Sequence, residues 1–150
     1  MREVEPYSLP MKKKEFEICV RGIIQKQGKI LVCKNKVKDY YFFPGGHVDF
    51  GESAKDALIR ELKEELNVSV RGVSFIGATE NIFQEGGQKK HEFNLVFSVK
   101  AEKVKDKSME DHLEFYFFDI KRFAKEKVLP TTLKEQVLKW LKDKKTFWIT

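Results

Sequence analysis

Residues 16–24 alternate, with Phe16, Ile18 and Val20 on one side and Glu17, Cys19 and Arg21 on the other, which predicts a half-buried strand. Gln27-Gly28 marks a tight turn, and residues 29–34 return as the partner strand. Residues 40–43 read as a short aromatic strand stopped by Pro44-Gly45-Gly46. The period then changes, and residues 53–66 read as a helix with Leu58, Leu62 and Leu66 on one stripe. Residues 70–83 hold one or two strands interrupted near Gly77, residues 85–90 a polar glycine loop, and residues 91–99 another strand. After a charged connection over 102–111, the apolar and aromatic run 113–120 reads as a central strand. Residues 132–142 form a closing helix with a capping box at Thr132 and Glu135 and an apolar stripe of Leu133, Val137, Leu138 and Leu141. Strands mixed with two or three helices predict an α+β sandwich.

A chain of 150 residues fits one domain spanning 1–150, and 41% hydrophobic content with 13% aromatic is that of a globular protein. No apolar run reaches the length of a membrane span, and the first ten residues lack the apolar stretch of a secretory signal. A hairpin turning at Gln27-Gly28 would set Cys33 opposite Gly22 and Cys19 opposite Lys36, so both cysteines are expected as free thiols in a reducing cytoplasm. The net charge of +6 comes mainly from lysine, and the five arginines are scattered. Arginine is the usual reader of phosphate forks and base edges, so charge alone does not argue for nucleic-acid binding.

The informative stretch is residues 45–68. Ser53 is a suitable N-cap, with Asp56 three residues on, and Asn67 can take the left-handed conformation that ends a helix. With Glu61 as origin, Glu65 falls at about +40° and Glu64 at about −60°, while Leu58, Leu62 and Leu66 fall at about +60°, +100° and +140°. Three glutamates therefore converge on a face that abuts the buried stripe, with Ala54 and Ala57 leaving room among them. Like charges at this spacing cost about 0.2–0.5 kcal/mol per pair in water, which a divalent cation held between them would offset. A solvated acidic face balanced by Arg60 and Lys63 is the alternative for this hexapeptide taken alone.

The surroundings read Gly46-x5-Glu52-x7-Arg60-Glu61-Leu62-x-Glu64-Glu65-x-Asn67-Val68, preceded by Phe42-Phe43-Pro44-Gly45. This resembles the Nudix box, G-x5-E-x7-R-E-U-x-E-E-x-G-U, at every defined position except Asn67, where the family has glycine. The resemblance implies an α/β/α sandwich around a mixed sheet and a Mg²⁺-dependent hydrolase, with Mn²⁺ as a possible substitute. It implies metal ligation by Glu61, Glu64, Glu65 and the Gly45 carbonyl, catalytic roles for Glu61, Glu64 and Arg60, and support of the box by Gly46, Glu52 and Asn67. Family members add a carboxylate from beyond the box, and here Glu114 is the first candidate and Glu110 the second. Phe42 and Phe83 are candidates to stack on a base, although core packing accounts for either. The proline and tyrosine that mark the ADP-ribose and dinucleoside-polyphosphate branches are absent near Phe83-Gln84-Glu85. The expected substrate is a nucleoside diphosphate linked to another moiety, or a nucleoside triphosphate. RNA 5′ pyrophosphate removal and a non-catalytic nucleotide-sensing module are the alternatives, and a monomer or homodimer is expected.

Overall fold

The computed structural model describes residues 14–104 and 112–149. Glu110, the first ten residues and most of the expected connection over 102–111 lie outside the described residues.

The chain runs β1 (Glu17–Lys26), β2 (Lys29–Asn35), β3 (Tyr41–Phe42), β4 (Gly45–His47), α1 (Ala54–Leu66), β5 (Ser69–Glu85), β6 (Gln88–Glu102), β7 (Leu113–Asp119), α2 (Ile120–Lys125), α3 (Thr131–Asp143) and β8 (Phe147–Ile149). The sheet is mixed, in the order β3-β2-β1-β6-β5-β8, with β4 also bonded to β1 and β7 to β2. β1 runs parallel to β6, and β8 runs parallel to β5.

The sheet forks along β1. Gln27 and Gly28 both have positive φ, as the expected tight turn requires, and β1 pairs with β2 at Gln25↔Ile30 and Lys26↔Lys29. Further back, β4 takes β2's place, pairing Cys19 with His47, Val20 with Gly46 and Arg21 with Gly45. Cys19 thus faces His47 and not Lys36, because the register set at the turn does not continue past the fork. The cysteines are nonetheless both free and buried.

Helices cover both faces. On one side Leu58, Leu62 and Leu66 of α1 are fully buried with Val20, Ile24 and Leu31; on the other, Leu133 and Val137 of α3 and Phe123 of α2 pack with Ile23, Val96 and Phe118. This two-sided cover explains why β1 is not half-buried in alternation. Cys19 and Val20 are both buried, while Phe16 and Ile18, beyond the cover of the helices, are exposed.

The expected strand over 70–83 is one strand, β5, with an irregularity between Phe75 and Gly77 where the interruption was expected. Four other expectations change. The expected loop after β5 is a two-residue turn at Gly86-Gly87. β7 is bonded to β2 and to no other strand among the described residues, so it is not central. Its last expected residue, Ile120, begins α2, which Asp119 caps by accepting from Arg122 N at 2.8 Å. α3 starts after Pro130 without a side-chain cap, so Thr132 and Glu135 form no capping box.

The seating of α1 on the sheet fixes which way its acidic residues point. Leu62 is fully buried, so Leu62→Ala should cost about 2–5 kcal/mol in urea unfolding, through lost burial and the cavity left behind.

Candidate active site

Helix α1 starts at Ser53, whose hydroxyl accepts from Asp56 N at 3.0 Å, and stops at Asn67, which is left-handed (φ 52, ψ 39) with its N–H on the Lys63 carbonyl. Buried leucines fix the helix's rotation, so its acidic face meets the glycine pair of β4.

Gly45 has φ 148, and a Cβ there would collide with the Val20 carbonyl. A Cβ on Gly46 would collide with the Glu61 carboxylate. Gly45 therefore needs glycine for its conformation and for space, and Gly46 leaves the room that the Glu61 carboxylate occupies. Gly45 N–H points to Glu65 Oε2 at 3.4 Å, and the Glu65 side chain is buried.

Arg60 ties the acidic groups together. Its Nε and Nη2 donate to the two oxygens of Glu52 at 2.8 and 2.9 Å, a bidentate fork, and Nη1 donates to Glu61 Oε1 at 3.0 Å. Nη2 also reaches the His47 carbonyl at 3.2 Å, and Glu64 Oε2 and Asp49 Oδ2 stand at 3.5 and 3.6 Å from the guanidinium. Glu52 Oε1 accepts in addition from Asp49 N at 3.2 Å, which closes the loop before the helix. Hydrogen bonding to Arg60, then to the Asp49 amide, holds the Glu52 carboxyl down at about 2, well below its ordinary 4.5. The same fork raises the Arg60 pKa.

Glu61, Glu64, Glu65, Gly45, Gly46, Glu52, Arg60 and Asn67 thus occupy one loop–helix–loop. Glu61 and Glu65 are turned toward the glycines, and Glu64 is about half exposed. Among the described residues, no three His, Cys, Asp or Glu side chains stand as a ready-made ligand cluster. The donor set nevertheless suits a hard divalent cation: carboxylate oxygens beside a glycine carbonyl, with no nitrogen or sulfur ligand required.

Glu114 is not brought to this group. It pairs with Lys34 across β2 and β7 and accepts from Tyr116 OH at 2.6 Å. Tyr116 packs with the α3-side core while Phe115 packs with the α1-side core, so Glu114 projects from the face away from α1. Phe42 is half-buried against the α1-side core. Phe83 is half-buried opposite Lys90, near the far turn of the β5–β6 hairpin.

Three residues beside the site were not singled out by spacing. Arg21 Nη1 donates to the Phe43 carbonyl at 3.1 Å, its Nε to Asn94 Oδ1 at 3.2 Å, and Asn94 Nδ2 to Glu92 Oε1 at 3.1 Å. The available signal was the pair of polar side chains, Glu92 and Asn94, alternating with Phe93 and leading into the apolar run Leu95-Val96-Phe97.

An acidic loop–helix laid over a forked mixed sheet, with helices on both faces, defines the architectural class. A family model described as the NUDIX domain matches residues 15–143, and the chain belongs to the Nudix family. Among curated proteins it is similar to the ADP-ribose pyrophosphatase of Methanocaldococcus jannaschii, 32% identical over 111 residues, covering 72% of this chain and 64% of that protein. It is also similar to an RNA pyrophosphohydrolase of Psychrobacter, 42% identical over 62 residues, covering 40% of this chain and 36% of that one. The matches therefore span less than two thirds of these relatives' lengths. Among solved structures, the MutT Nudix hydrolase from Burkholderia pseudomallei superposes with a TM-score of 0.63 at 20% identity, over 81% of this chain and 97% of that one. A MutT protein from Bacillus halodurans gives 0.69 at 16% identity, over 81% and 82%. At such identities the likeness concerns the fold.

The Glu52–Arg60 fork should leave a signature in acid. A carboxyl whose folded pKa lies below its unfolded value contributes stability that is complete above about pH 4.5 and lost as the pH falls toward 2. Thermal unfolding across that window should show Glu52→Gln losing stability less steeply than the wild type as acid is added, with the two curves converging at the acid end.

Proposed function

We propose that this chain is a divalent-metal-dependent hydrolase that cuts a phosphoanhydride bond in a nucleotide-like substrate, either a nucleoside diphosphate linked to another moiety or a nucleoside triphosphate. The observation that carries this reading is the Arg60 fork, which holds Glu61 against Gly46 while Glu65 meets Gly45 on the same side. Glu61, Glu64, Glu65 and the Gly45 carbonyl would hold the metal, Mg²⁺ with Mn²⁺ as a substitute. Glu114 lies on the face of the sheet away from α1 and is not part of this set. When bound, the cation supplies positive charge that offsets the diphosphate and acidifies water.

The chain's own part is orientation and proton transfer. Arg60 engages one Glu61 oxygen and leaves the other to accept a proton from the attacking water. Glu52 keeps Arg60 in place, and the Asp49 amide keeps Glu52 in place. Phe42 and Phe83 are carried as base-stacking candidates on the strength of their partial exposure. Two buried unpaired thiols suit a reducing compartment, and on that ground we place the protein in the cytoplasm.

The name of the Psychrobacter relative favours a second reading, removal of pyrophosphate from an RNA 5′ end. A non-catalytic nucleotide sensor fits less well, because every acidic position of the box is retained.

Turnover with Mg²⁺ against nucleoside triphosphates, nucleotide sugars, dinucleotides and 5′-triphosphorylated RNA separates the three, and a nucleoside-diphosphate-linked or triphosphate substrate should give the largest kcat/KM. Glu64→Gln should lower turnover on the order of 100-fold or more while the half-exposed position leaves the melting temperature nearly unchanged. Near-normal turnover in that variant would reject Glu64 as a ligand.

A further inference from the structure

One buried polar chain takes no part in the proposed hydrolysis. It starts at Glu92 in β6, passes through Asn94 in the same strand, crosses to Arg21 in β1 and ends on the Phe43 carbonyl. Asn94 is fully buried and Glu92 is 8% exposed. The parallel pairing of β1 with β6 sets Cys19 beside Asn94 and Arg21 beside Val96, so Arg21 lies one pleat step from Asn94 on the same face. A carboxylate, an amide and a guanidinium are costly to bury, and a trio of apolar side chains would fill the space at less cost. What such a trio could not do is fix orientation.

The directions of the bonds matter. The Glu92 carboxylate accepts, so it turns the Asn94 amide with its N–H₂ toward β6's own carboxylate and its oxygen toward Arg21. That oxygen accepts from Arg21 Nε, and the planar fork then aims Nη1 at the Phe43 carbonyl. The next peptide is held at both ends: the Pro44 carbonyl accepts from Gly22 N at 2.9 Å, and the Gly45 N–H points to Glu65. The Phe43–Gly45 backbone is therefore gripped from the β6 side by this chain and from the α1 side by the box.

We propose that Glu92, Asn94 and Arg21 are positioning residues that set the orientation of the Phe43–Gly45 backbone, and through it the Gly45 carbonyl and its meeting with Glu65. The geometric claim stands on the hydrogen bonds alone; its consequence for metal affinity and turnover rests on the proposed hydrolase function.

The test uses the full chain, isotope-labelled and metal-free, with amide hydrogen exchange read residue by residue in the wild type, Asn94→Ala, Glu92→Ala and Glu92→Gln. Asn94→Ala and Glu92→Ala should speed exchange at Gly45 and Gly46 by about 10-fold or more, with Val137 and Trp140 of α3 changed by less than about twofold. Glu92→Gln keeps an oxygen for Asn94 and should stay within about threefold of the wild type. Should Asn94→Ala fail to fold, Arg21→Lys, which keeps the charge and loses the fork, should show the same selective loosening. In parallel, Asn94→Ala should weaken Mn²⁺ binding by about 10-fold and lower kcat, with the nucleotide KM moved by less than about twofold. Unchanged exchange at Gly45 would overturn the proposal, and so would equal acceleration in α3, which would mean general destabilisation. Glu92→Gln as damaging as Glu92→Ala would also overturn it, because Glu92 would then act directly as a charged group. A wild type that binds no metal and turns over nothing would sink the hydrolase reading and leave the exchange result standing.

Discussion

The candidate site depends on one guanidinium. Carboxylates crowded onto one helix face repel each other, and the fold tolerates them because Arg60 sits among them. It binds Glu52 with two parallel bonds, Glu61 with a third and the His47 carbonyl with a fourth, and stands within ionic reach of Glu64 and Asp49. Such a fork fixes direction as well as charge, which a lysine could not do. Because Glu52 lies before the helix and Glu61 within it, the same bonds that relieve the repulsion also lock the loop to the helix.

That lock would be of little use without something to close against. The fork in the sheet provides it. β1 leaves β2 after two pairs and accepts β4 in its place, which brings Gly45 and Gly46 under the acidic face of α1. The glycines let backbone and carboxylate approach more closely than any side chain would permit. Three fully buried leucines hold the helix in the one rotation that puts Glu61 and Glu65 there.

Much of this was legible in the sequence. The period of Leu58, Leu62 and Leu66 gave the helix and its buried side, and the fixed spacing from Gly46 to Val68 gave the box. Local chemistry also placed the turn at Gln27-Gly28 and the left-handed Asn67. Long-range pairing was not legible. Pro44-Gly45-Gly46 read as a strand breaker, yet Gly45–His47 is a strand, because its partner is β1 and not the chain next to it. The alternation in β1 put Phe16 and Ile18 inside and Cys19 outside, since no local pattern reveals that helices cover both faces of that strand. Glu114 looked well placed at the start of an aromatic strand, but strand parity turns it away from α1. Arg21 and Asn94 meet across 73 positions of chain, so nothing near either one announces the contact.

The central claim is that the acidic face of α1, and not a carboxylate from the distant strand β7, is where divalent cations are held. Mn²⁺ titration of the metal-free protein, followed by water-proton relaxation, tests it most directly when the wild type is compared with Glu61→Gln and Glu114→Gln. The account predicts that Glu61→Gln weakens binding by about 10-fold or more while Glu114→Gln leaves it close to the wild-type value. Undiminished affinity in Glu61→Gln, with loss in Glu114→Gln, would contradict it.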